Sequence, residues 1–179
     1  MGKDAFYNAS TVNNAVAIGF EALRNPTDCS GVVAIGYQAL FTNANASGSV
    51  AIGYQAGHKS PNSITAIGYL AAFNTTGNPN TAIGYQALYT NTTGTSNTAV
   101  GHQALTASTG NHNTALGWTT GDGVTTGSNN TLIGSLNSKS GFLTTGSNNL
   151  ILGYNTYPSS ATVSNENTFG NLSTTSNRF

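Results

Sequence analysis

The chain has 179 residues, zero formal net charge and only 6% charged residues, so it has neither the basic footprint of a nucleic-acid binder nor an electrostatic anchor for an anionic membrane. Asn, Thr and Ser supply 69 residues and Gly another 22, yet eight Tyr, seven Phe and a Trp argue against disorder. The single cysteine, Cys29, excludes an internal disulfide framework and a Cys-rich metal site, and reads as a small buried thiol.

Residues 1–12 read as a lead-in. "MGKDAFYNAS" lacks the basic start and apolar stretch of a signal peptide. No later run approaches the roughly 18 apolar residues of a membrane helix, so membrane insertion is not expected.

Residues 13–117 carry a repeated phrase, Ala-Ile-Gly followed by an aromatic residue. Its glycine recurs as Gly19, Gly36, Gly53, Gly68, Gly84, Gly101 and Gly117, and weaker copies continue the series at Gly134, Gly153 and Gly170. The spacings run from 15 to 19 residues, a fixed self-similarity that marks a repeat architecture. That period is short for two helices and suits two short strands and two turns, predicting an all-β parallel β-roll or β-solenoid of about ten turns.

Each column of the repeat carries its own expectation. Ile18, Ile35, Ile52, Ile67, Ile83, Val100, Leu116, Ile133, Leu152 and Phe169 precede the glycine and read as core. Ala17, Ala34, Ala51, Ala66, Ala82, Ala99 and Ala115 alternate with them and read as the opposite face, against close-packed backbone or a neighbouring chain. The glycine reads as a corner. Phe20, Tyr37, Tyr54, Tyr69, Tyr85, Trp118 and Tyr154 follow it; with the Ala column they are candidates for an interface between chains. Ala22, Ala39, Ala56, Ala71, Ala87 and Ala104, with Leu23, Leu40, Leu88 and Leu105, read as a second strand. Stretches such as "TNTTGTSN" supply turns.

Residues 118–160 form irregular repeats with longer loops, "WTTGDGVTTGSNN" and "SLNSKSGFLTTGSNN", and residues 161–179 form a C-terminal segment. From Gly117 onward the Ala and Leu pattern is lost, so the last turns are expected to pack differently.

"SVAIGYQAG", Ser49 to Gly57, resembles the head repeats of trimeric autotransporter adhesins. "NTAIGYQALY" followed by "TNTTG" is similar to repeats in phage and bacterial fibre proteins that end in an endosialidase-type intramolecular chaperone. "TVSNENTFGNLSTTSNRF" is similar to the segment that precedes such a chaperone, which is itself absent from this chain. The resemblance covers residues 13–179. It implies a β-roll shared among three chains and an extracellular fibre, on a bacterial surface or a virion tail, attached to a glycan or protein receptor.

Catalysis is not expected. Asp4, Glu21, Asp28, Asp122 and Glu166 are the only acids and fall in different repeat columns, whereas a glycosidase needs two carboxylates about 5–10 Å apart. His58, His102 and His112 also fall in different columns, so neither a metal nor a cofactor is expected. Receptor contact is sought where the phrase breaks: His102, Trp118, Asp122, Ser135, Lys139 and Phe142. Three other readings stay open: a structural spacer, a tailspike-like glycan hydrolase, and an ice-binding face of Thr81, Thr98, Thr114 and Thr131, although Val16, Val33 and Val50 in the same column favour a buried position.

Overall fold

The structure, a computed structural model, describes residues 2–42, 45–60, 63–138, 141 and 143–170. Its strands are β1 (Thr11–Asn13), β2 (Val16–Ile18), β3 (Asp28–Ser30), β4 (Val33–Ile35), β5 (Val50–Ile52), β6 (Ile64–Ile67), β7 (Asn80–Ile83), β8 (Asn97–Val100), β9 (Thr114–Leu116), β10 (Thr131–Ile133), β11 (Leu150–Leu152) and β12 (Asn167–Phe169). β2 and β4–β12 form one ten-stranded parallel sheet in chain order, while β1 and β3 pair separately. The chain is therefore an all-β parallel β-solenoid, with the phrase in register from turn to turn: Ala34 pairs with Ala51, and Ala82 with Ala99.

The expected second strand is not one. After the corner, alternate residues take left-handed backbone angles, as at Gln38 (φ 50) and Leu40 (φ 52). Such angles cost roughly 1–2 kcal/mol per residue outside glycine. The stack offsets that cost, because the Gln38 N–H donates to Phe20 O at 2.8 Å on one side and the Leu40 N–H to Ala56 O at 3.1 Å on the other. Each rung is thus bonded in both directions without a second sheet, and Leu40 is fully buried.

The core assignment of the sequence is inverted on the strand. Ala17 is 3% exposed and its neighbour Ile18 50% exposed, and the Ala column from Ala34 to Ala115 is fully buried. Alternation sends the two residues to opposite faces, and in the turns from Ala17 to Ala115 the lumen is filled on this side by the methyl group. The isoleucines therefore face outward, and the Ala column, sealed inside, cannot be an interface between chains. Leu23, Leu40, Leu88 and Leu105 complete the interior from the far wall.

A further interior column lies four residues before each corner. It is apolar at Val32 and Ile64, polar at Ser49, and then becomes Asn80, Asn97, Asn113, Asn130 and Asn149, all buried. Each Oδ1 accepts the backbone N–H of the next member, from 2.8 Å at Asn80 with Asn97 to 3.0 Å at Asn130 with Asn149. Each Nδ2 donates to a turn carbonyl, as Asn97 does to Gly110 O and Asn113 to Gly127 O, both at 2.8 Å. The buried amides are therefore satisfied on both ends, as a dry interior requires.

The later turns exchange volume between walls. Leu132 and Ile151 replace Ala on the strand, while Gly121 and Ser138 replace Leu opposite. The backbone also stacks glycine on glycine: a Cβ on Gly84 would lie 2.4 Å from Gly101 O. At the N-terminal end Gly2 stands under Gly19, and residues 3–10 stack on residues 20–27 through bonds such as Phe6 N–H to Ala22 O.

Candidate binding surface

The outward residues of the sheet, one column of Val or Thr as far as Thr131 and one of Ile, Val or Leu as far as Leu152, form a face that runs along the stack. Val16, Ile18, Ile52, Leu116 and Ile133 are among its exposed members. Thr65, Thr81 and Thr98 are half-buried on this face, so the Thr column lies outside the lumen and not within it. They border a polar groove of about 320 Å³ that also touches Ser63, Pro79 and Ser96. Val16, Val33, Val50 and Leu150 interrupt the hydroxyl ladder that an ice-binding face would need.

Beyond the corner glycine the aromatic column stacks ring on ring. Phe20, Tyr37, Tyr54, Tyr69, Tyr85 and His102 follow one another at centroid separations of 4.8–5.4 Å with planes within 12°. The in-register backbone imposes this spacing, and stacked rings add about 0.5–1.5 kcal/mol per pair. Beside them runs a glutamine column, in which Gln55 Nε2 donates to Gln38 Oε1 and Gln38 Nε2 to Glu21 Oε2, both at 2.7 Å. Glu21, an acceptor without a donor, ends that chain and is held by Arg24 Nη1 at 2.6 Å.

A second ring column escaped the sequence reading: Phe41, His58, Phe73 and Tyr89 stack at 4.9–5.4 Å. The Arg24 guanidinium enters the same column, 4.9 Å from the Tyr7 ring and 5.5 Å from that of Phe41. All stand five residues after a corner glycine, and that offset was the available signal. His58 is held below its ordinary value by burial and then by the adjacent Lys59 charge.

Of the six receptor candidates, the fold gathers three. His102, Trp118 and Ser135 occupy successive rungs of the first ring column, as the Thr119 N–H to His102 O and Leu136 N–H to Trp118 O bonds show. Trp118 is tilted 40° against His102, with centroids 6.3 Å apart. Asp122 lies apart from them, at the offset of Phe41 and Tyr89. Lys139 and Phe142 lie outside the described residues. The expectation that no two acids share a column also fails: Asp4 stands one turn below Glu21, because Gly2 is a further member of the glycine column. Tyr154, which sequence reasoning treated only as a column member, stands next to Ser135 on the following rung through the Asn155 N–H to Ser135 O bond.

Among the described residues, no group of three or more His, Cys, Asp or Glu side chains could hold a metal ion, and no helix is long and apolar enough to cross a membrane. Comparison with family models, with curated proteins and with solved structures gave no match.

Proposed function

We propose that three copies of this chain pack through their outer sheet faces into a homotrimeric, extracellular fibre segment that performs no chemistry and attaches to a cell-surface glycan or protein receptor. The observation that carries this reading is the exposed apolar face, with Ile18, Ile52, Leu116 and Ile133 open to solvent along one line. An apolar stripe of this extent marks an interaction surface. Its side chains repeat with the rise of the stack, about 4.8 Å, over ten strands, and a partner must share that rise to fit along its length. A second and third copy share it by construction.

Attachment draws on the remaining surface, which is neutral, rich in hydroxyl and amide groups, and bears ring columns. Three identical chains then present three weak sites at high effective concentration. Two of the five acids are engaged in side-chain hydrogen bonds: Glu21 with Arg24 and Gln38, and Glu166 with Ser159 and Thr168. The unbroken stacking of the corner glycines from Gly19 to Gly153 favours a second reading, a spacer that binds nothing.

Sedimentation equilibrium at micromolar concentration tests the assembly. The expected mass is three times 18.2 kDa, and Ile67→Asp with Ile83→Asp should give a folded monomer. A stable, folded parent monomer would overturn the reading. Binding of the labelled trimer to a glycan array and to receptor-bearing cells separates attachment from spacing.

A further inference from the structure

Between Phe20 and Tyr154 the first ring column has one vacancy. From Phe20 to Trp118 every rung carries a ring, Ser135 carries none, and Tyr154 resumes the column. The backbone does not break there: the Leu136 N–H reaches Trp118 O and the Asn155 N–H reaches Ser135 O, both at 2.9 Å. Corner stacking also continues, since a Cβ on Gly117 or Gly134 would collide with the carbonyl of the next corner glycine. A ring is missing while the rung that would bear it is in place.

Two rung steps separate Trp118 from Tyr154, about 10 Å. Among the described residues they are the two most exposed large apolar side chains, at 51% and 66%, and each lacks a ring neighbour on the Ser135 side. Between Phe20 and His102 each ring is stacked on the next, whereas at the vacancy two rings flank a rung that carries none.

We propose that this gap is a saccharide slot, in which one neutral hexopyranose ring of a surface glycan takes the missing place in the column, between Trp118 and Tyr154 and over Ser135. Carbon–carbon contact needs about 3.5–4.0 Å on each side. The same two-rung gap holds one ring elsewhere in the column, as Tyr37 stands between Phe20 and Tyr54, and a pyranose of similar breadth can take that place with a contact on each face. The C–H groups on both faces of a pyranose suit the electron-rich faces of the indole and the phenol. The Ser135 hydroxyl and the Tyr154 phenol supply the few polar contacts that orient a ligand in such a site. Trp118, Thr119, Ser135, Leu136, Tyr154 and Asn155 carry no charge at neutral pH, which selects a neutral sugar over a sialylated or phosphorylated one.

The slot rests on the glycan-attachment reading and names its site. Trp118 is the only tryptophan, so its fluorescence reports the slot directly. The trimer is titrated with maltohexaose, cellohexaose, chitohexaose and mannohexaose. A saturable blue shift with at least one of them is the expected result. Ser135→Tyr fills the vacancy and should abolish the shift while its unfolding temperature stays at or above the parent's. Tyr154→Ala keeps the test open should Ser135→Tyr fail to fold, and should weaken binding at least tenfold. Saccharide binding that survives both substitutions would overturn the slot and leave glycan attachment standing elsewhere. No binding of any saccharide, on the array or in the titration, would overturn both.

Discussion

Asn97 Oδ1 accepts the backbone N–H of Asn113 at 2.9 Å, and Asn113 Oδ1 in turn accepts that of Asn130 at 3.0 Å. The two side chains thus belong to one buried hydrogen-bonded line that extends from Asn80 to Glu166.

The line predicts that even the near-isosteric replacement of one member is costly. Asn113→Asp keeps the acceptor for Asn130 but turns an oxygen toward Gly127 O, where the Nδ2 donor now sits at 2.8 Å. Asn113→Ala leaves the Asn130 N–H and Gly127 O without that partner, and each orphaned buried group costs about 1–3 kcal/mol. Chemical denaturation should show a loss of about 2–5 kcal/mol for either variant. A loss below 1 kcal/mol would mean that the line does not hold the stack.

Corner glycines and loop glycines should part company. Gly84 has φ +133 and a Cβ there would lie 2.4 Å from the Gly101 carbonyl, which backbone stacking cannot release. Gly84→Ala is expected to cost more than about 4 kcal/mol or to abolish folding. Gly48, at φ +68 with open space where its Cβ would be, should tolerate alanine for about 1 kcal/mol. Thermal unfolding of the two variants side by side decides this.

The pH dependence carries the mark of His58. Burial, and then Lys59, hold its folded pKa below the ordinary value of 6.5, and its Nδ1 is buried without a hydrogen-bond partner. The unfolded chain therefore binds the proton more readily, and stability rises with pH through this window. The contribution is complete above pH 6.5 and is lost as pH falls from 6.5 through the folded pKa. His58→Phe, which continues the column between Phe41 and Phe73, should remove that slope. Glu166 acts in a separate, lower window. Burial alone would raise its pKa, but hydrogen bonds from the Ser159 and Thr168 hydroxyls and the Ser159 amide outweigh that and hold it below 4.5. Its contribution is present above 4.5 and lost as pH falls through its folded value. Denaturation midpoints from pH 3 to pH 8 for both chains test the assignment.

The period, the glycine corners and the single-file stacking were legible in the sequence, because a Cβ-free position repeated every 15 to 19 residues has few other uses. Which side of the strand faces in was not. Ala and Ile alternate equally well in either sense, and the usual preference for burying isoleucine pointed the wrong way. What decides the matter is lumen width, a property of the closed turn and not of any residue. The left-handed stretch at Gln38 and Leu40 was illegible for a related reason: Gln and Leu carry no local signal for positive φ, and only the stacked hydrogen bonds sustain it. The site was half legible. The break at Trp118 and Ser135 stood out as a departure from the phrase, but Tyr154 conformed to it, so its part in the vacancy emerged only from the register.

The volume exchange in the later turns predicts energetic coupling between Gly121 and Leu132. A Cβ on Gly121 would meet Leu105 Cδ2 at 2.9 Å and Leu132 Cδ1 at 3.3 Å, so the space that leucine fills at Leu88 and Leu105 is here taken by Leu132 from the facing strand. Leu132→Ala alone should open a cavity and cost about 2–5 kcal/mol. Gly121→Leu alone should overpack the same space and destabilise by about 1–3 kcal/mol. The double variant restores the arrangement of the earlier turns, where Leu88 and Leu105 accept φ values of 50 and 48. It should therefore be more stable than the two separate losses predict, by at least about 1 kcal/mol in a double-mutant cycle. Additive losses would show that the two walls pack independently, and that the irregular pattern after Gly117 has a cause other than exchanged volume.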